Sequence, residues 1–510
     1  MPLRGATEWL RVVVSTMVVS SASKSSSIYS GTEARGLLSI PSLLTATPTL
    51  ARHSFRSCVH AILPSFLHSP APSAPLLPGS HAARPSASVH PTAYLDGLRG
   101  TAAFLVFIYH FVYAYFPSLE YGFLRGPNDL NPFQLPILRL FMCGASMVSI
   151  FFVISGYALS YKTIRMIRRR DHASVLTTLS SSTFRRALRL NIPTLVSVLW
   201  VALLIQMGAF TWNAQNVKKG KVLAGWREDD PPILTGFWRQ MRDAFWAWAA
   251  MSSPFTWKEY FITYDLHLWT IPVEFRCSIL VFISLLGLSK VKSWVRMGVL
   301  SVMAIASFVY HDRWDVFCFL SGVVLAEVSI IRMETKSKGN NLLLFPVLLV
   351  GLHIASMPSH DPGHTPGYVT LSNSIPSRIH EKGRFWQSIS AVIIVSTVSF
   401  ATPSGLQRPF TTGFAQYLGK ISYAMYLMHG PICRTLGFWS VVNFWKYTGK
   451  DSTTGKFFGV FGGAILVFTV VFWLSDIFWR AVDMGCVKFA RWMENACLAK
   501  TDEQDEKNFS

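Results

Sequence analysis

The 510-residue chain has few charged residues, and acids are scarcer than bases. Only 15% of it is Asp, Glu, Lys or Arg, and 27 acids face 47 basic residues. An ordinary soluble domain is about 25% charged, which argues against a typical cytosolic enzyme. The seven cysteines are scattered and form no Cys-x-x-Cys, so neither a zinc site nor a disulfide framework is indicated. An apolar content of 51% excludes global disorder.

Long apolar runs are what the chain has in abundance. They recur from about residue 98, and each is about 17–25 residues long, enough to cross the hydrocarbon core of a bilayer. The fold class predicted from this pattern is all-α, a polytopic transmembrane helical bundle with about ten spans. The spans are predicted at 99–117, 136–160, 188–211, 267–288, 294–310, 314–331, 341–357, 385–402, 414–438 and 457–480.

Composition divides the chain into three parts. Residues 1–90 form a low-complexity basic tail, residues 91–485 the transmembrane domain, and residues 486–510 a cytosolic C-terminal tail. The N-terminal part is rich in Ser, Ala and Pro and poor in acids, a composition that transit peptides share. A disordered tail, or a wrongly assigned start of the coding sequence, is the favoured interpretation.

Basic residues set the predicted orientation. Residues 161–187 carry a dense basic cluster with Asp171 as the single acid, so this segment is predicted to be cytosolic. With ten spans, both termini are then cytosolic, while the organelle stays open. The net charge of +20 lies mostly between apolar runs and at the termini, which favours contact with membrane lipids and no nucleic-acid partner. An amphipathic helix over 237–251 is predicted to lie on the outer surface.

Two ionisable residues interrupt the apolar spans. His110 lies about 15 Å from the cytosolic end of the first span, and Glu274 about 10 Å from the outer end of the fourth, at 1.5 Å per helical residue. Ionisable groups inside a membrane are costly and mark functional sites. At similar depth, His110 is predicted to act as a general base that Glu274 orients. The alternative is that His110 only hydrogen-bonds a neighbouring helix.

A group of arginines precedes the third span. Arg186 and Arg189 are three residues apart and share a helix face at the predicted cytosolic mouth, beside Arg185. Paired guanidinium groups suit a polyanion such as a nucleotide phosphate, although anchoring to lipid headgroups explains the spacing equally well. Because Asn191 and Pro193 follow, the helix is predicted to be kinked or to restart there.

Another histidine lies in the ninth span. His429 is followed by Gly430 and Pro431, which predict a break that frees backbone groups towards a cavity. A structural histidine at a kink is as well supported as a catalytic one. Metal binding is not predicted, because the histidines of one outer loop lack regular spacing and a supporting carboxylate cluster. They are His353, His360, His364 and His380.

Small and paired polar residues complete the candidate site. Ser155 and Gly156 are small residues near the cytosolic end of the second span. They indicate close helix packing, and a binding site is the less favoured alternative. Asp96 and Arg99 are three residues apart at the start of the first span, where an ion pair at the membrane interface is expected.

Five segments, in order, resemble the acyltransferase-3 family of integral-membrane acyl-CoA-dependent O-acyltransferases. The resemblance covers about residues 94–480. The similar segments are YLDGLRGTAAFLVFIYHF (94–111), FFVISGYALS (151–160), the Arg-x-x-Arg element of Arg186 and Arg189, LWTIPVE (268–274) and LGKISYAMYLMH (418–429).

The resemblance implies a donor and a reaction. Acyl-CoA, most simply acetyl-CoA, would approach from the cytosol with its phosphates near Arg186 and Arg189. His110 would activate a hydroxyl of a glycan, lipid or small metabolite, and an acetyl or other short acyl group would be transferred to it. A secondary transporter that uses buried His and Glu as a proton relay is the alternative, although no internal repeat supports it.

Overall fold

The computed structural model describes residues 63–65, 91–211, 223, 225, 229–253, 255, 260–337 and 339–498. The predicted tail 1–90 therefore lies almost wholly outside the described residues, as do the last residues of the predicted C-terminal tail. The helices described below belong to one compact unit, Gly79–Ser510.

Within the described ranges the chain is helical and contains no strand, in agreement with the all-α prediction. The α-helices are α1 (Ala93–Val112), α2 (Gly144–Arg168), α3 (His172–Gln206), α4 (Phe237–Met251), α5 (Thr270–Gly287), α6 (Ser293–His311), α7 (Trp314–Glu334), α8 (Asn341–Ala355), α9 (Val369–Asn373), α10 (Lys382–Phe400), α11 (Gly413–Ile432), α12 (Phe438–Thr448), α13 (Thr453–Phe478) and α14 (Met484–Cys497). Two π-helical segments, Cys433–Gly437 and Trp479–Asp483, follow α11 and α13.

Each predicted span overlaps one of these helices, but not every helix is long and apolar enough on its own to cross a bilayer. Seven helical segments of the described chain are long and apolar enough: Ala93–Val112, Gly144–Arg168, His172–Gln206, Leu266–Gly287, Ser293–His311, Trp314–Glu334 and Thr453–Cys497. Helix α8 is apolar but short. Helices α10 and α11 do not meet the criterion, so the number of ten crossings stays a prediction. Helix α11 is largely buried among other helices, which explains why it carries polar residues.

Two hydrophobic clusters meet at α1. One joins its first half to α2, α5, α6, α7 and α10. The other joins its second half to the end of α3, α4, α11, α12 and α13. Helix α1 therefore has apolar neighbours on several sides.

Glycines allow the closest helix crossings. A Cβ atom added at Gly156 of α2 would lie 2.0 Å from the carbonyl oxygen of Phe319 in α7, and one added at Gly322 of α7 would lie 2.1 Å from that of Val153. The packing role expected for Gly156 is thus observed. A Cβ at Gly419 of α11 would lie 2.5 Å from the carbonyl oxygen of Asp96, so α1 and α11 also approach backbone to backbone.

Three details differ from the sequence expectations. Helix α3 is continuous through Pro193 and does not restart there. The last predicted segment is not a plain tail, since α14 packs along α3 through an Arg185–Glu494 ion pair of 3.2 Å. Apolar runs predict which part of a helix is suited to a bilayer, but they do not predict where the helix begins or ends.

The predicted helix over 237–251 is present as α4, but it does not lie across one end of the bundle. Gln206 donates to Gln240 at 3.3 Å near one end of α3, and Trp248 donates to the Asn191 carbonyl at 3.0 Å near the other. Positions 191 and 206 are about 22 Å apart along a helix. Helix α4 therefore runs antiparallel beside α3 over most of this depth, which corrects the predicted surface placement.

Candidate active site

A cavity of about 230 Å³ lies between α1, α2, α3, α5 and α11. Its charged lining residues are four cations, Arg99, Arg186, Arg189 and Lys420, and two carboxylates, Glu274 and Asp483, so the positive charges are in excess. The other lining residues are largely apolar or aromatic: Val106, Val148, Phe151, Phe152, Ile154, Ala158, Leu159, Leu190, Ile271, Tyr423 and Tyr426. The cavity thus joins a charged mouth to an apolar interior.

Glu274 lies at the charged side of this cavity. Its Oε1 atom accepts from Arg186 Nη2 at 2.5 Å and from Ser155 Oγ at 3.4 Å. The predicted pairing of Glu274 with His110 is therefore wrong, because the hydrogen bonds of this carboxylate go to α2 and α3. Sequence spacing gives depth along a helix but not the direction that a side chain faces, and the depth match was the basis of that prediction.

The predicted arginine group divides into two sets. Arg186 and Arg189 line the cavity, and Arg186 is also held by Ser278 Oγ at 3.1 Å. Arg185 is outside the described lining and pairs with Glu494. Asp96 and Arg99 form an ion pair of 3.0 Å, and Arg99 also donates to the Gly419 carbonyl at 3.2 Å.

Two polar residues of the cavity lining connect it to a cluster of three histidines. Tyr426 lines the cavity and donates from its hydroxyl to the carbonyl oxygen of His267. Thr270 also lines the cavity, and its hydroxyl lies 2.6 Å from that of Tyr426. Val106 is one helical turn before His110, so it shares a face of α1 with that residue.

The histidine cluster consists of His110, His267 and His429. Nδ1 of His110 lies 3.0 Å from Nε2 of His429. The ring centroids of His110 and His267 are 4.0 Å apart, and those of His267 and His429 are 4.8 Å apart. His429 is 1% exposed and His267 is 7% exposed, whereas His110 is only partly buried. The structure thus joins the two histidines predicted from sequence and adds a third.

Backbone and carboxylate partners favour one tautomer for each neutral ring. Nδ1 of His429 lies 3.0 Å from the carbonyl oxygen of Met425, which can only accept, so this nitrogen carries the proton. Its Nε2 atom is then an acceptor, and Nδ1 of His110 must donate to it. In neutral His110 the lone pair is consequently on Nε2, the nitrogen that a base would use.

Asp265 and His267 were not singled out from the sequence. Nδ1 of His267 lies 2.8 Å from Oδ1 of Asp265, which is fully buried. Both residues lie at the start of a predicted span, where polar residues are ordinary and attract no attention. The sequence signal that could have identified them is the Asp-x-His spacing immediately before an apolar run. The short helical turn Leu266–Trp269 then places both side chains on the same side.

Among the described residues, the three histidines are the group whose ligand atoms come close enough together to hold a metal. Their ligand atoms lie within 4.8 Å of one another. The histidines of the outer loop have other neighbours: His353 stacks on Tyr368, while His360 and His364 face Glu120 and Asp361 at 3.5 and 2.6 Å.

A second cleft opens beside the charged mouth. It lies between α1 and the basic end of α2 and encloses about 570 Å³. The cleft and the cavity share Arg99, Ile154 and Ala158 in their linings. The two spaces are therefore neighbours on the side of the bundle that the positive charge predicts to be cytosolic.

These features define a multi-pass helical membrane protein with buried histidines beside a cationic cavity. A model of the acyltransferase-3 family, described as an acyltransferase domain, matches residues 92–480. The chain belongs to this family, and it is an acyltransferase.

Relatives agree with this assignment. The chain is 30% identical over 448 residues to the O-acetyltransferase PaAT-1 of Phomopsis amygdali, covering 82% of this chain and 87% of that protein. It is 25% identical over 445 residues to acyltransferase clz18 of Cochliobolus lunatus, covering 77% of this chain and 93% of the relative. No solved structure matches the chain. The family assignment favours the enzyme over the transporter.

Proposed function

We propose that this protein transfers an acetyl or other short acyl group from cytosolic acyl-CoA to a hydroxyl group, with His110 as general base. The observation that carries the proposal is the hydrogen-bonded pair His110–His429 close to a cavity that arginines help to line. Tyr426 of the cavity lining donates to the carbonyl of His267, which packs against both rings of the pair. A base close to an anion-binding cavity is what a thioester that carries a nucleotide requires. The relative PaAT-1 is an O-acetyltransferase by name, which supports a hydroxyl acceptor.

His110 and His429 act as a unit in this mechanism. Nε2 of His110 removes the proton of the acceptor hydroxyl, and the positive charge that develops on the ring is stabilised because Nδ1–H donates to Nε2 of His429. His429 is itself fixed by the Met425 carbonyl. An orienting partner of this kind maintains the tautomer in which a catalytic imidazole can accept a proton.

Acyl transfer then proceeds through a tetrahedral intermediate. As His110 takes the proton, the acceptor oxygen attacks the thioester carbonyl carbon, and a C–O bond forms. Collapse of the intermediate breaks the C–S bond, and the electron pair leaves on sulfur. The proton on His110 passes to the thiolate, which yields the ester and free CoA and restores the neutral base.

The charged side of the cavity serves the donor. Arg189 and Arg186 face the cavity from one side of α3, and Arg99 faces it from α1. Glu274 and Ser278 hold Arg186 in place, and Ser155 donates to Glu274, which gives Glu274 a positioning role in place of the predicted contact with the base. Guanidinium groups suit phosphate because they donate several hydrogen bonds in a fixed geometry.

The first test removes the base. Cells that produce the wild-type protein or His110→Gln are given radiolabelled acetate, and membranes from the same cells are incubated with labelled acetyl-CoA. Esters are recognised because mild alkali releases their label, whereas amides retain it. We expect His110→Gln to lower ester formation by roughly 10²–10⁴-fold, the usual contribution of a general base.

The control is a histidine outside the cluster. His364 is 77% exposed in the outer loop, and His364→Gln should transfer acetyl groups at the wild-type rate. Immunoblots of the membranes establish equal amounts of protein. Undiminished ester formation by His110→Gln would contradict the general-base role.

A further inference from the structure

The second cleft carries chemistry that the transfer reaction described so far does not use. It is lined by three cations of α2, Lys162, Arg165 and Arg169, together with Tyr161 and Met166. All three cations are exposed, and none has a carboxylate within ion-pair distance in the described chain. Arg168, on another face of the same helix, is by contrast engaged by Glu334. Asp96 also lines the cleft, but it is paired with Arg99 at 3.0 Å, so the positive charges of Lys162, Arg165 and Arg169 stay uncompensated.

We infer that this cleft binds the nucleotide half of the donor, an adenosine that carries phosphate groups. The inference rests on the proposed acyl-CoA donor and assigns the site that holds its far end. The 3′-phosphate would be bound by Lys162, Arg165 and Arg169, while the diphosphate would lie near Arg99, Arg186 and Arg189. The pantetheine arm would then extend into the apolar part of the cavity.

Continuity between the two spaces supports a single extended ligand. Arg99, Ile154 and Ala158 line both the cleft and the cavity. Arg165 is 17 residues from Val148, which lines the cavity's apolar part, and this separation is about 25 Å along a helix. A thioester on a flexible arm, anchored at the cleft, therefore points along α2 towards the histidines.

An aromatic face favours a nucleotide over a bare phosphate. Tyr161 stacks on the buried Tyr157 with ring centroids 5.6 Å apart, so its ring is held in one orientation. Arg165 lies over the Tyr161 ring at 5.9 Å from its centroid. Bases bind proteins by stacking on such rings and on guanidinium planes, while phosphates bind the neighbouring cations. An anionic lipid headgroup would use the cations but not the ring.

The test compares donors that differ only at the nucleotide end. Purified full-length Lys162→Gln and Arg165→Gln are assayed with acetyl-CoA, acetyl-dephospho-CoA and acetyl-pantetheine, using the cell-extract fraction that supports wild-type transfer as the acceptor. We expect the KM for acetyl-CoA to rise about two- to fivefold, as loss of an exposed charge-assisted contact predicts, with kcat and the use of acetyl-pantetheine unchanged.

Arg170→Gln is the matched control, because Arg170 is exposed on the same segment but does not line the cleft. It removes the same charge and should leave every KM unchanged. Tyr161→Leu should weaken binding of adenosine 3′,5′-bisphosphate to the purified protein, and Tyr161→Phe should retain it.

The possible outcomes are distinct. Equal KM changes for acetyl-CoA and acetyl-pantetheine, or none, would overturn the nucleotide site while acyl transfer stands. Competition by phosphatidylserine micelles, with adenosine 3′,5′-bisphosphate binding unaffected by Tyr161→Leu, would assign the cations to lipid instead. If the wild-type protein transfers acetyl from none of the three donors, the proposed function fails and this inference fails with it.

Discussion

His429 combines a structural position in its helix with the orienting role that we propose for it. It lies in a helix that contains a proline, and it also contacts the ring that we propose as the base. Because the Met425 carbonyl can only accept, one nitrogen of His429 is committed to donate and the other is left to accept. The local helical hydrogen bond thereby determines which nitrogen of His110 is basic.

Substituting His429 separates the orienting role from simple packing. His429→Leu removes the acceptor for His110, so we expect kcat to fall roughly 10²-fold or more with little change in the KM for acetyl-CoA. His429→Gln keeps an oxygen that can accept from Nδ1 of His110 and should retain more activity. Equal losses in both variants, with equal thermal stability in detergent, would contradict the orienting role.

Sequence reasoning found some members of the site and missed others for a physical reason. His110 and His429 interrupt long apolar runs, where an ionisable group is costly and therefore conspicuous. Asp265 and His267 lie at the edge of a run, where such residues are common. The partner of Glu274 depends on the direction that each helix faces, which only packing determines.

At the scale of helices, α11 illustrates how a proline is accommodated without a break. Pro431 cannot donate to the carbonyl of Leu427, and Ser197 of α3 donates to that carbonyl at 3.1 Å instead. The predicted break is therefore absent, because the Leu427 carbonyl keeps a hydrogen-bond partner. The π-helical segment Cys433–Gly437 follows the helix. Such π segments commonly occur near functional sites.

The α2–α7 crossing gives a prediction about stability. Gly156→Ala would place a methyl group 2.0 Å from the Phe319 carbonyl oxygen, and a backbone atom cannot rotate away as a side chain can. We expect destabilisation at or above the upper end of overpacking costs, about 3 kcal/mol, and a lower thermal midpoint of the purified protein in detergent.

The control for this crossing is Gly298 of α6, where nothing lies within 4 Å of an added Cβ. Gly298→Ala should leave the midpoint unchanged or raise it, because alanine favours helices over glycine by up to about 1 kcal/mol. A midpoint for Gly156→Ala equal to that of Gly298→Ala would show that the two helices can separate at little cost.

Helix positions were predictable from apolar runs, whereas helix contacts were not. Helix α4 was predicted with its observed bounds, Phe237–Met251, because its amphipathic pattern is local. Its position beside α3 depends on Gln240 and Trp248 finding partners far along the chain, which periodicity cannot reveal.

At the scale of the whole molecule, contacts between loops bear on the number of membrane crossings. Ten crossings assign each connecting segment to one side, and contacts between segments should then join only those on the same side. On the predicted outer side, Arg139 donates to the Ser356 carbonyl at 2.7 Å and Asp312 accepts from the backbone of His380 at 2.7 Å. On the predicted inner side, Asn341 donates to Thr402 at 2.6 Å.

Seven crossings would not preserve this agreement. If α8, α10 and α11 did not cross, the segment from 335 to 452 would stay on the cytosolic side, and Ser356 would then be opposite the loop that carries Arg139. The direct contact between these two residues is therefore consistent with ten crossings and difficult to reconcile with seven. Polar residues lower the mean hydropathy of α11 below that of a typical membrane span. Burial within the bundle, however, removes their contact with lipid.

Thiol labelling in sealed microsomes, whose cytosolic face is outward, distinguishes the two topologies. Cys497 is exposed, whereas Cys143, Cys277, Cys318, Cys433 and Cys486 are buried, so a Cys58→Ser background leaves Cys497 as the reactive thiol of the described residues. With ten crossings, a membrane-impermeant maleimide should label Cys497 without detergent. In a Cys497→Ser background, Ser374→Cys, an exposed position of the outer loop, should be labelled only after detergent is added. Seven crossings would reverse both results, because the C-terminus would then be on the far side and the 335–452 segment on the cytosolic side.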